Sequence, residues 1–161
     1  MKRYFKTVLA FSAIAALLTY SGCGPGSDPA PTEQEVQLGK LKSTWKITEV
    51  KLDNVSKLTD YTGFELTITG SITDGNLTGG GYSAKNRPKL SPWLAEGNWV
   101  FGTDPVTQIT RDPDKSADKL DVTYSVTDTQ LQLTFTFARE GYSTARTSNV
   151  KGQWVFTFKN N

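Results

Sequence analysis

The chain has 161 residues, a formal charge of +2, no histidine and one cysteine, Cys23. Without histidine it lacks the commonest general base and metal ligand. Nucleophile chemistry of the serine–histidine or cysteine–histidine type is therefore excluded, and we expect neither an enzyme nor a bound cofactor.

The first 22 residues have the order of a secretory signal peptide. Three basic residues within the first six precede an apolar run at residues 8–18, and Ser21 and Gly22 lead into Cys23. The apolar run is about half the ~20 residues that a helix needs to cross a bilayer, so we do not expect a membrane span. One alternative is an ordinary secreted protein in which Cys23 is a free thiol, a liability in an oxidising compartment.

Removal of this signal would change the charge of the protein. Residues 1–22 contain three basic side chains and no acidic ones, so the mature chain has 15 Lys and Arg against 16 Asp and Glu. Its formal charge of −1 gives no reason to expect nucleic acid as a partner.

Tyr20-Ser21-Gly22-Cys23 resembles the lipobox that ends bacterial type II signal peptides, although leucine is usual where Tyr20 stands. The resemblance implies cleavage before Cys23, which then carries a thioether-linked diacylglycerol and usually a third acyl chain. Two or more acyl chains anchor a protein stably. We therefore expect an outer-membrane lipoprotein of a Gram-negative cell envelope, labelled by palmitate. The sequence leaves open whether it faces the periplasm or the exterior.

The mature chain divides into a spacer and one domain. Residues 23–39 are rich in Gly, Pro, Ser and acidic residues without an apolar period, which predicts a flexible tether. Residues 40–161 are enough for a single domain with one modest core.

Alternating apolar and polar residues predict strands in this domain. The pattern is clearest at residues 64–72, 120–126, 131–137 and 154–158, with further candidates at 41–52, 77–84, 97–101 and 106–111. Asp74-Gly75 predicts a tight hairpin, and a switch of apolar face between Ile47 and Val50 predicts a bulge. A short helical turn is predicted at residues 91–94.

About eight consecutive antiparallel strands predict an all-β fold. We expect an up-and-down barrel, with a two-sheet sandwich as the alternative. The predicted inward-facing side chains are bulky and indicate a largely filled interior; they are Phe64, Tyr124, Phe135, Phe137, Trp154, Phe156 and Phe158.

Three segments of the domain resemble lipocalin-like domains of Bacteroidetes-type lipoproteins. They are the opening residues 41–48 with Trp45 on a strand, a middle part with Tyr82, Pro88 and Gly97-Asn98-Trp99, and a closing strand at residues 152–158. The resemblance implies a small lipocalin-like barrel, in a group whose members mostly lack a known activity. It also implies that Trp45 packs under a late arginine, either Arg139 or Arg146.

The loop around Trp93 is a candidate ligand site. Trp45, Trp99 and Trp154 lie on predicted strands and are expected in the core. Trp93 and nearby Tyr82 could instead offer a platform for an apolar or glycan ligand at the barrel mouth. A basic run could attract an anionic head group; it consists of Lys85, Arg87 and Lys89. The alternative is a loop that plugs the barrel, with the basic side chains simply solvated.

A calcium site is a second candidate. Asp112, Asp114, Ser116 and Asp118 fall at alternate positions, as in an EF-hand loop. Ala117 replaces the turn glycine, however, and no helices are predicted beside the loop. The alternative is a solvated hairpin loop without a metal.

Two functions remain open. The first is a non-catalytic, lipid-anchored envelope protein, expected to be monomeric, that binds a small apolar or amphipathic ligand at the barrel mouth. The second is an envelope accessory or interaction scaffold with no small-molecule ligand. A contiguous interior cavity approaching ~300 Å³ would favour the first function, and a filled core would favour the second.

Overall fold

The structure is a computed structural model that describes residues 30–139 and 150–160. Cys23, the signal peptide and most of the expected tether lie outside the described residues. The chain from Pro31 onward forms one compact unit. In the part of the chain that is described, no helix combines the length and apolar character needed to span a membrane.

The unit consists mainly of strands. Helix α1 (Glu33–Leu41) comes first, and a 3-10 turn (Leu58–Tyr61) follows the second strand. The strands are β1 (Thr44–Leu52), β2 (Val55–Ser56), β3 (Glu65–Thr73), β4 (Asn76–Lys85), β5 (Glu96–Phe101), β6 (Gln108–Arg111), β7 (Leu120–Val126), β8 (Gln130–Phe137) and β9 (Gly152–Lys159).

Eight of these strands close into a barrel. From β3 to β9 each strand pairs antiparallel with the next, and β1 pairs with both β3 and β9. The short strand β2 is an extra strand on β1. The prediction of an all-β, lipocalin-like up-and-down barrel is therefore confirmed, and the alternative sandwich is wrong. Closure removes the exposed sheet edges that an open sheet would have.

Two local predictions are also confirmed. The register between β1 and β9 shifts between Ile47 and Glu49, which is the expected bulge. Asp74 and Gly75 have φ angles of 51° and 75° and form the tight turn between β3 and β4. A turn with two positive φ angles matches the twist of the strands that it joins.

Helix α1 replaces the last part of the predicted spacer. Thr32 and Glu35 form a capping box, in which the Thr32 hydroxyl accepts from the Glu35 backbone N–H (3.3 Å) and the Glu35 carboxylate accepts from the Thr32 N–H (2.6 Å). Leu38 and Leu41 are buried, and α1 packs against β3 and β7, on opposite sides of the ring. The expectation of a flexible tether as far as Gly39 is therefore wrong for these residues, because the cap and the apolar spacing favour a helix that covers one barrel end.

The predicted helical turn at residues 91–94 is also wrong. The backbone there is not helical, because side chains rather than local backbone bonds hold it. The Ser91 hydroxyl accepts from the Trp93 N–H (3.1 Å), and Arg111 donates to the Pro92 carbonyl (2.6 Å). The short helical segment lies at Leu58–Tyr61 instead.

The barrel interior is filled by side chains. All seven predicted inward-facing residues are buried, and so are the three strand tryptophans, which confirms both predictions. The indole N–H groups of Trp45, Trp99 and Trp154 donate to the carbonyls of Leu41 (2.8 Å), Thr69 (3.0 Å) and Val150 (2.8 Å). These bonds satisfy the one polar group of each buried indole.

The resemblance implies that Trp45 packs under Arg139 or Arg146, and the structure places Arg139 against other residues. The Arg139 guanidinium lies over the Phe137 ring, 5.4 Å from its centroid, and Nη2 donates to the Lys119 carbonyl (3.1 Å). The other candidate, Arg146, lies outside the described residues.

Helix α1 should contribute strongly to stability through Leu41, which is 0 % exposed. We predict that Leu41→Ala lowers the free energy of unfolding by about 2–5 kcal/mol, the usual cost of truncating a fully buried leucine. Val36 on the same helix is 41 % exposed, so Val36→Ala should change it by less than about 0.5 kcal/mol. Urea unfolding measures both, and equal effects would show that α1 does not pack as described.

Candidate functional site

The loop at residues 86–95, between β4 and β5, folds into the barrel end opposite α1. Its Trp93 is 2 % exposed. The Trp93 ring meets the rings of Tyr82, Phe135 and Phe156 edge to face, with centroid distances of 5.6, 5.8 and 6.1 Å. Edge-to-face contacts of this kind stabilise aromatic clusters beyond the area that they bury. The loop therefore plugs the barrel mouth with its own tryptophan.

A buried serine helps to fix this plug. The Ser91 hydroxyl accepts hydrogen bonds from the Trp93 backbone N–H (3.1 Å) and from the Tyr61 hydroxyl (3.4 Å). Burial raises the pKa of Tyr61 well above its ordinary value, because the phenolate would lose its hydration. Tyr61 is thus a neutral donor that links the 3-10 turn to the plug.

Arg111 binds the plug from the side. It is 1 % exposed, its Nη1 donates to the Pro92 carbonyl (2.6 Å), and its Cζ lies 5.1 Å from the Trp93 ring centroid. A guanidinium over an indole face is a favourable cation–π pair. Nη2 also donates to the Asp118 carbonyl (3.2 Å), which ties the β6–β7 loop to the same side chain.

Asp112 compensates the buried charge of Arg111. The ion-pair distance from Arg111 Nε to Asp112 Oδ2 is 3.2 Å, and the Tyr82 hydroxyl donates to the same oxygen (2.7 Å). The other oxygen accepts from the Asn98 backbone N–H (3.1 Å). A side chain at Gly97 would overlap the Asp112 carboxylate and the Tyr82 ring, so this position requires glycine.

The space left inside the barrel is small. A void of about 20 Å³ lies beside Trp93, and its lining includes Leu66, Trp99 and Leu133. Ligand pockets normally measure about 300–1,000 Å³, whereas this void has room for about one water molecule. Among the described residues, no acceptor reaches Trp93 Nε1, although the atom is buried. Among the described residues, the barrel interior therefore shows no cavity of the size that a small-molecule ligand needs.

The described residues form two open grooves on the outside of the barrel. The larger has a volume of about 520 Å³ and lies over β6 and β7. The smaller, about 400 Å³, lies over β3, β4 and β5, with Glu96 and Lys115 at its margin. Both are open and lined mainly by polar side chains.

The structure separates the residues of the predicted ligand site into two groups. It brings Tyr82 and Trp93 together, but both are buried core residues that touch each other. Lys85 and Lys89 are exposed and Arg87 is half-buried. The aromatic pair and the basic run therefore do not line a common open pocket.

The structure does not bring the residues of the predicted calcium site together to form a metal site either. Asp112 faces inward and its two oxygens accept the bonds described above, while Asp114 and Ser116 are exposed. The Asp118 carboxylate lies 4.0 Å from an Arg139 nitrogen. Across residues 30–139 and 150–160, no group of three or more His, Cys, Asp or Glu side chains is placed to hold a metal ion.

The sequence interpretation missed Arg111 and treated Asp112 only as a possible calcium ligand. One signal could have revealed Arg111: it follows buried Ile109 by two residues on β6, so strand alternation turns both side chains inward. An arginine at an inward position needs a buried partner.

Comparisons with protein-family models, with curated proteins and with solved structures found no match to this chain. The function is therefore inferred from the sequence and from the geometry of the barrel.

Loss of Arg111 should destabilise the barrel. We predict that Arg111→Met lowers the free energy of unfolding by about 3–5 kcal/mol, because it leaves the Asp112 carboxylate buried without a counter-charge. The double variant Arg111→Met with Asp112→Asn should recover part of this loss. Arg139→Met removes a partly exposed cation and should cost less than about 1 kcal/mol. Chemical unfolding of the three variants tests the point, and equal losses for Arg111→Met and Arg139→Met would contradict it.

Proposed function

We propose that this protein is a non-catalytic, lipid-anchored accessory protein of the cell envelope. Its barrel is a scaffold that presents its outer surface to partners and does not hold a small-molecule ligand inside. The observation that carries the proposal is the filled interior. Trp93 occupies the mouth, and the remaining void is about 20 Å³. A ligand in the mouth would have to displace this side chain and break the contacts of Arg111 and Ser91 with the plug.

The two barrel ends support the same conclusion. The plug fills one end and α1 covers the other, so the interior is sealed at both. A protein with a sealed core presents its walls and loops to partners. The geometry therefore favours the scaffold over the ligand-binding alternative at the mouth.

The lipid anchor is supported by the sequence around Cys23. The basic start, the short apolar run and the small residues before the cysteine are typical of a lipoprotein signal. The outer membrane of a Gram-negative cell is the proposed location.

Substitution of the cysteine tests the anchor. We predict that Cys23→Ala abolishes palmitate labelling and moves the protein from the membrane fraction to the soluble fraction, because no acyl chain then holds it. Cell fractionation and metabolic labelling measure both effects.

Ser27→Ala is the matched control, since it changes a small residue just after the cysteine and should leave labelling and location unchanged. If the Cys23→Ala protein remains in the membrane fraction, the lipid-anchor proposal is wrong.

A further inference from the structure

The outer wall formed by β6, β7, β8 and β9 carries little charge. Of the side chains that point outward from these four strands, only Asp121 and Lys159 are charged. Charged residues make up about a quarter of an average protein and lie mostly on its surface. Four outward side chains on this wall are amides: Gln108, Gln130, Gln132 and Gln153. We call these four residues and the hydroxyl side chains between them the glutamine wall.

The strand register arranges this wall in rows. Thr123 of β7 lies between Gln108 of β6 and Thr134 of β8. Ser125 of β7 pairs with Gln132 of β8. Neighbouring strands are about 4.8 Å apart, so amide and hydroxyl groups face outward at regular, short spacings.

The fold alone does not explain the glutamines. Threonine is common in strands because its branched side chain suits a pleated surface, but glutamine is not among the residues that strands favour. No other described residue hydrogen-bonds to the side-chain amides of the four glutamines. These amides therefore remain available to a partner.

The larger outer groove lies on the same wall. Its volume of about 520 Å³ falls within the range of ligand sites. Its polar lining consists of Thr103, Gln108, Thr110, Thr123 and the oppositely charged pair of side chains Lys119 and Asp121. Asp121 already accepts from the Thr110 hydroxyl (2.8 Å), which holds the carboxylate against its neighbour. The groove thus offers mostly neutral groups that donate and accept hydrogen bonds.

We propose that the glutamine wall and its groove bind an uncharged polysaccharide strand. Amides and hydroxyls both donate and accept, as sugar hydroxyls do, and pairing them requires little desolvation of charge. An anionic polymer would need a row of cations, which this wall lacks. The proposal rests on the proposed envelope function, because the anchor would keep the wall beside envelope glycans.

Affinity electrophoresis tests this proposal with the full chain, purified from membranes in a polyoxyethylene detergent. Native gels contain a soluble β-glucan, a galactomannan or a xylan, and mobility is compared with a gel without polysaccharide. We expect at least one of the three to retard the protein, with a dissociation constant that follows from the dependence on polysaccharide concentration.

Charge placed on the wall should weaken this binding. Gln132→Glu and Gln108→Glu keep the side-chain shape but add a carboxylate that binding must desolvate, so each should raise the dissociation constant at least about tenfold. Gln34→Glu is the matched control. Gln34 lies on α1, away from the wall, and its side-chain oxygen accepts from the Leu77 N–H (3.1 Å), which a glutamate can also do.

Two results would overturn the proposal. In the first, none of the three polysaccharides retards the unsubstituted protein. In the second, Gln34→Glu and Gln132→Glu weaken binding equally. The anchor is judged separately by fractionation. A membrane-bound protein that no polysaccharide retards contradicts the glutamine wall alone, whereas a soluble protein that is retarded contradicts the anchor alone.

Discussion

The Arg111 guanidinium contacts two loops that are separate in the sequence, the plug between β4 and β5 and the loop between β6 and β7. It contacts the Trp93 ring and the Pro92 carbonyl of the plug, and the Asp112 carboxylate compensates its charge. A buried cation is tolerated only where such partners satisfy it, and removal of one partner leaves an expensive unpaired charge. Arg111 therefore connects the plug to the β6–β7 loop, and Asp112 extends this connection to Tyr82 of β4 and Asn98 of β5.

This arrangement explains why the described part of an eight-stranded barrel encloses only a void of about 20 Å³. A barrel of this size can hold either a packed core or one small ligand. Here Trp93 takes the volume at the mouth, α1 covers the opposite end, and stacked rings such as Phe135 and Phe156 occupy the middle. The chemistry that remains for recognition lies on the outer surface, where amides and hydroxyls outnumber charges on the wall of β6–β9.

Much of the fold could be predicted from the sequence, because local patterns determine it. The alternation around Leu131 and Phe135 gives strand β8, and Asp74-Gly75 gives a hairpin, without knowledge of distant contacts. Composition alone does not predict helix α1, because its cap and two leucines lie in a stretch whose composition resembles a spacer. The Arg111–Asp112–Tyr82 cluster could not be derived from spacing, since it depends on how β4 and the end of β6 meet at the barrel mouth.

The protein's own side chains occupy the interior of this barrel. Fluorescence titration with an apolar probe, N-phenyl-1-naphthylamine, can measure this occupancy in the Cys23→Ala variant and in the same variant carrying Trp93→Gly. We expect no saturable binding by the first protein and binding by the second, in which the indole volume is vacated. Saturable one-to-one binding by the protein with an intact Trp93, displaced by a fatty acid, would contradict it.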